Sequence, residues 1–173
     1  IDIVNNYNAK KPTKWLKGLG YSYRYLGVCY DIKDDIPTAL SYYNKSLKIK
    51  EKMNDHHGIA VVHATMASAY WNISEYQIAL DYNLKALEVQ KVHGSKKDRA
   101  IIYENMGLIY TDLGNIPKAL ELFFKTLKTY EELDLQNEIM GVYGNIGNVY
   151  FYQENYDKAL EYYEISLEMS KKI

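Results

Sequence analysis

The 173-residue sequence holds one cysteine, Cys29, so no disulfide can close within the chain. Cys29 lies between Val28 and Tyr30 on an expected helix, where a small apolar side chain serves packing or surface and carries no redox role. Charge of one sign is lacking too. Lysine and glutamate are mixed along the chain and the net charge is −1, which leaves no broad field to draw nucleic acid or an anionic membrane. No apolar run approaches the roughly 18 residues of a membrane span, and no short apolar segment with a basic flank opens the chain. There is no phosphate-cradling glycine loop and no exposed serine elbow. Of the four histidines, His56 and His57 are adjacent at a turn with no zinc ligand at suitable spacing, and His63 takes a position that is aromatic elsewhere in the chain. Neither a metal site, a cofactor nor an enzyme is expected. Arginine is limited to Arg24 and Arg99 while lysine, tyrosine, asparagine and isoleucine abound, the bias of an AT-rich genome that points to a bacterial source.

What the chain does have is a repeat of 40 residues: a Tyr, eight residues, Ala-Leu, six residues, Leu. The instances are Tyr30/Ala39/Leu40/Leu47, Tyr70/Ala79/Leu80/Leu87, Tyr110/Ala119/Leu120/Leu127 and Tyr150/Ala159/Leu160/Leu167. Such a period marks one supersecondary unit stacked on copies of itself. Small residues recur three positions before each Tyr, at Gly27, Ala67, Gly107 and Gly147, behind Leu26, Met66, Met106 and Ile146 and, further back, Tyr23, His63, Tyr103 and Tyr143. That is the i, i+3, i+4, i+7 stripe of a helix. A second helix carries Ile36/Ala39/Leu40/Tyr43/Leu47 and its equivalents, so each unit is a helical hairpin.

The turns are legible as well. Asp34-Asp35, Ser74-Glu75, Gly114-Asn115 and Glu154-Asn155 separate the paired helices, and Asp35, Asp55, Ser95 and Asn115 suit helix caps. Among three prolines, Pro37 and Pro117 fall in the first turn of a second helix, where the missing N–H has no intrahelical partner to lose. Between units the chain turns near Asn54-Asp55, Gly94-Ser95 and Asp134, and connections this short make neighbouring helices antiparallel.

With these residues in place, the chain resembles the tetratricopeptide repeat family. Tyr103/Met106/Gly107/Tyr110/Ala119/Phe123/Thr126 and Tyr143/Ile146/Gly147/Tyr150/Ala159/Tyr163/Ser166 follow its pattern closely, with His63 and Asn83 the poorest matches. The common unit has about 34 residues and ends in proline. Here Glu51, Lys91, Glu131 and Lys171 stand at that place and each unit is longer, so the second helices are expected to run on. Long units of this kind are similar to those of bacterial sensor kinases, nucleotide cyclases, peptide-responsive regulators and animal adaptor proteins. The resemblance implies an all-α, right-handed superhelical solenoid of antiparallel helix pairs. Its units are expected at 20–59, 60–99, 100–139 and 140–173, as a fragment of a longer protein. Residues 1–19 are read as the tail of a truncated preceding repeat, with Ile3 and Tyr7 at second-helix core places and Gly18 in register with Gly58.

At about 100° per residue, each first helix turns a second face away from its core stripe. The resemblance implies that this face lines a concave groove that binds a partner. Its candidates are Arg24 and Tyr25 in the first unit; Thr65, Ser68, Trp71 and Asn72 in the second; Glu104, Asn105 and Asp112 in the third; Asn145, Asn148, Phe151 and Tyr152 in the fourth. Asn145 and Asn148 resemble groove asparagines that hold the backbone of an extended peptide, since an amide both donates and accepts. Asn145→Ala is accordingly expected to spare stability and weaken binding. Trp71, Phe151 and Tyr152 have the character either of binding anchors or of inter-repeat packing residues. A clamp for a peptide C-terminus is disfavoured, because Ala64, Glu104 and Gly144 supply no basic partners. The expected function is a protein- or peptide-binding scaffold in the sensory or interaction region of a larger bacterial signalling protein. The rival readings are a self-association module and a small-ligand sensor. The compartment is open between cytoplasm, the default, and an extracytoplasmic sensor region.

Overall fold

The computed structural model describes residues 13–172, and among them every regular element is a helix: α1 (Thr13–Ile32), α2 (Ile36–Lys52), α3 (His56–Asn72), α4 (Tyr76–His93), α5 (Lys96–Asp112), α6 (Ile116–Glu132), α7 (Gln136–Tyr152) and α8 (Tyr156–Ser170). The expected unit borders at residues 20, 60, 100 and 140 fall inside α1, α3, α5 and α7, whose first turns form earlier. Residues 13–19 are thus the opening turns of α1, whereas Ile3 and Tyr7 lie outside the described residues.

Local chemistry explains the boundaries. In one recurring closure the N–H groups of Asp35, Glu75, Asn115 and Asn155 donate to the carbonyls of Tyr30, Tyr70, Tyr110 and Tyr150. The residue just before each cap takes a positive φ, as at Asp34 (59°), Ser74 (61°), Gly114 (71°) and Glu154 (58°). This left-handed step satisfies helix-end carbonyls. Asp55 and Leu135 close the turns between pairs in the same manner, on Lys50 and Tyr130. The residue that ends one helix then begins the next. Asp35, Asn115 and Asn155 accept from the N–H groups of Thr38, Lys118 and Lys158, Asp55 accepts from Gly58, and Ser95 with Asp98 forms a capping box.

The described chain comprises two compact units, one ending at Val62 and the other beginning at His63, within α3. In the first, α1 packs on α2 by setting the bare backbone of Gly27 against the ring of Tyr43, while Ser46 Oγ donates to the Gly20 carbonyl at 2.7 Å. Lys50 is buried and pairs with Asp55 at 2.8 Å. Leu26, placed in the core stripe from sequence, is instead 42% exposed, because among the described residues no helix precedes α1 to cover it.

The second unit repeats that design. A Cβ on Gly107 would meet Phe123 at 2.8 Å, and one on Gly147 would meet Tyr163 at 2.6 Å. Thr126 and Ser166 donate to the carbonyls of Ala100 and Met140 as Ser46 does to Gly20. Its core joins Ala119, Phe123, Leu127 and Tyr130 of α6 to Ile139, Val142, Ile146 and Val149 of α7. Complete burial of a ring such as Phe123 is worth about 1.5–3 kcal/mol. Leu160 and Leu167 of α8 are 57% and 53% exposed, whereas Leu80 and Leu87, their equivalents on α4, are buried. No described helix lies beyond α8 to cover them.

Candidate functional site

The first helices of the second unit stand side by side. Their side chains are joined by contacts 41 residues apart, one more than the repeat period: Trp71 Nε1 donates to Asp112 Oδ2 at 2.6 Å, Asn145 Nδ2 donates to Glu104 Oε1 at 3.0 Å, and Lys97 pairs with Glu138. The offset arises because stacked helices meet at a slant, so a residue faces the next helix slightly past its own repeat equivalent. Four of the expected site residues, Trp71, Asp112, Glu104 and Asn145, are in this way brought into two direct pairs. The sequence reading gave none of them a partner.

Glu104 is half-buried and also accepts from Tyr130 Oη at 3.0 Å. Burial drives its carboxyl above the ordinary carboxylate range, the Glu138 charge adds to that, and the hydrogen bonds from Tyr130 and Asn145 oppose it. Burial likewise raises the Tyr130 hydroxyl, with the Glu104 charge acting in the same direction. Asn145, expected to be spare for a ligand, is therefore already committed to a half-buried carboxylate. Its neighbour Asn148 is exposed and accepts from Tyr163 Oη at 2.7 Å.

Phe151 and Tyr152, at the end of α7, are exposed at 51% and 68%; their rings meet edge-on 6.2 Å apart, and Tyr156 adds a third ring to Phe151 at 5.6 Å. Ser68 is exposed and bonds back to the Ala64 carbonyl, Thr65 and Asn105 are partly buried, and Asn72 is exposed. Arg24 and Tyr25 belong to the first unit, where the guanidinium lies 4.4 Å over the Tyr25 ring. Tyr25 is exposed.

As partners of the site residues, Lys97, Glu138, Tyr130 and Tyr163 were not found by sequence reasoning. Searching for complementary polar residues at 41 instead of 40 would have found the first two. Sequence reasoning also passed over ring stacks between paired helices: Tyr30 on Tyr42 at 5.4 Å, Tyr70 on Tyr82 at 5.4 Å and Tyr150 on Tyr162 at 5.5 Å. His63 sits 5.9 Å from Tyr82, in agreement with its reading as a partly buried ring between paired helices. Cys29 is exposed. Among the described residues no group of histidine, cysteine and carboxylate side chains is disposed to hold a metal ion, and no helix is long and apolar enough to cross a membrane.

Comparison with known proteins gives two matches to family models, both described as tetratricopeptide repeat, at residues 58–132 and 142–172, which together cover more than half of the chain. Compared by sequence with curated proteins, the chain has no significant match. Solved structures are similar in fold at low identity. BtubC of P. vanneervenii is 19% identical with a TM-score of 0.79, covering 93% of this chain and 70% of its own. Aspartyl phosphate phosphatase F of Bacillus subtilis is 16% identical with a TM-score of 0.80, covering 95% and 42%. The Rap conjugation gene regulator of the plasmid pLS20, solved in complex with a Phr peptide, is 20% identical with a TM-score of 0.78, covering 96% and 46%. The chain spans less than half the length of these last two.

Proposed function

The chain belongs to the tetratricopeptide-repeat family, and from that premise we propose that it is a non-catalytic scaffold that captures a protein or extended peptide segment on the face formed by the first helices of its second unit. We place it in the interaction or sensory region of a larger bacterial signalling protein. The observation that carries the reading is the cross-braced face of α3, α5 and α7. Core positions are nearly uniform from unit to unit, but this face changes, from Thr65 and Ser68 through Glu104 and Asn105 to Asn145 and Asn148. Its side chains are held by partners on neighbouring helices, so ordering entropy is spent in folding and little remains to be lost on binding. The regulator solved with a Phr peptide supports the same use of the fold.

A photo-crosslinking amino acid at Asn148, compared with one at Lys128 on a second helix, tests the placement. The crosslinker at 148 is expected to trap a partner from extract of the source organism that the one at 128 does not. Equal labelling would move binding to another surface.

A second reading has one observation in its favour: Tyr156, Leu160 and Leu167 form an exposed apolar stripe on α8. Self-association through α8 would cover it. Light scattering at high concentration decides, because a monomer whose mass is unaffected by Leu160→Glu removes that reading.

A further inference from the structure

The charges of the first-helix face narrow the class of partner. On α5 and α7 the cation Lys97 is already paired with Glu138. Glu104 receives hydrogen bonds from Tyr130 and Asn145, and Asp112 from the indole of Trp71; all three donors are neutral. Two carboxylates are therefore left on this face without a cation, one of them half-buried. Along α7 the charged residues amount to Glu138 alone, so that helix supplies no cation to compensate them.

A separate observation concerns shape. A Cβ on Gly141 would meet no atom within 4 Å, and one on Gly144 would meet Ser166 Oγ only at 4.0 Å. Packing therefore demands neither glycine, in contrast with Gly107 and Gly147. A glycine inside a helix costs about 1 kcal/mol relative to alanine. What the two give in return is bare helix backbone beside Asn145 and Asn148, open to close approach by another main chain. The exposed rings of Phe151 and Tyr152 stand at the end of the same helix.

Resting on the peptide-binding reading above, we propose that this face selects an extended basic segment. The segment's main chain runs over Gly141 and Gly144, one lysine or arginine is set against Glu104 and a second against Asp112, about two turns further along α5, and an apolar residue rests on Phe151 and Tyr152. A cation there gains a charge-assisted hydrogen bond and relieves the unpaired state of Glu104. An acidic segment, a free C-terminal carboxylate or a nucleic acid phosphate meets repulsion at the same place.

The test is selection of a random displayed peptide library on the immobilised protein at about 0.15 M salt, where screening acts over roughly 8 Å. Enrichment of lysine or arginine together with apolar residues is the expected result. Enrichment without basic residues leaves peptide capture standing and overturns the charge selectivity. No enrichment over a bare surface overturns both. A selected peptide is then titrated against Asp112→Asn and Glu104→Gln, each expected to weaken binding about tenfold while the melting temperature holds. Because Glu104 also bonds Tyr130, the exposed Asp112 variant carries the decision if Glu104→Gln proves unstable. Unchanged affinity in the Asp112 variant overturns the proposal.

Discussion

The amide of Asn145 is held by a carboxylate on the neighbouring first helix. The sequence places this residue on a variable face with no sign of a partner; in the structure its amide donates to the half-buried Glu104. Asn145→Ala is therefore expected to cost about 1 kcal/mol, within the range for a hydrogen bond to a carboxylate tempered by partial exposure, with Asn148→Ala near neutral; urea unfolding of both variants checks this. His63 makes a second case. Burial, with the Lys85 charge adding, holds its imidazole below the ordinary value of 6.5, and its Nδ1 has no hydrogen-bond partner. The folded state therefore favours the neutral ring. Its contribution to stability is complete above pH 6.5 and is lost as the pH falls through the depressed folded value. Melting temperatures between pH 8 and pH 5, about 1.5 units either side of the reference, should fall more steeply for the wild type than for His63→Phe. Parallel curves would show that another group controls the acid limb.

Between elements, the governing contact is a small residue on a first helix facing a ring on the second. Gly27 with Tyr43, Gly107 with Phe123 and Gly147 with Tyr163 are all of this kind. In the second repeat the equivalent positions hold Ala67 and Asn83, so the glycine and the ring are both missing; both residues are buried and Asn83 Oδ1 has no hydrogen-bond partner. That repeat also has Ala86 where Ser46, Thr126 and Ser166 bond to the first helix. Gly107→Leu should destabilise by about 1–3 kcal/mol through overpacking against Phe123. In the second repeat, Asn83→Phe alone should crowd Ala67 and destabilise. Combined with Ala67→Gly it should restore the arrangement of the other pairs, giving a favourable coupling of about 1 kcal/mol or more in a double-mutant cycle. Additive effects would show that the two positions do not share one space.

For the molecule as a whole, stability in a repeat array is a sum over pairs and the interfaces between neighbours. Removing α7 and α8 strips Ile139, Val142, Ile146 and Val149 from the cluster built on Phe123, Leu127 and Tyr130. The shortened chain is expected to unfold at lower urea with a smaller m-value, because less surface is exposed on unfolding. An unchanged midpoint would mean that the α6–α7 interface contributes little.

The sequence by itself determined the helical hairpin, its 40-residue period, the caps at Asp35, Asp55, Ser95 and Asn115, and the core stripe. Each of these depends on neighbours within a turn or two, or on a pattern that every repeat restates. Tertiary structure decided which stripe residues are covered: within the second unit Met106 and Ile146 are buried, and Leu80 is buried while Leu160 is open, because cover comes from the adjacent pair; in the first unit Leu26 is open. It also decided the partners of the first-helix face. Those follow from the slant between stacked helices, which moves each contact from 40 residues to 41, and no single helix records that offset.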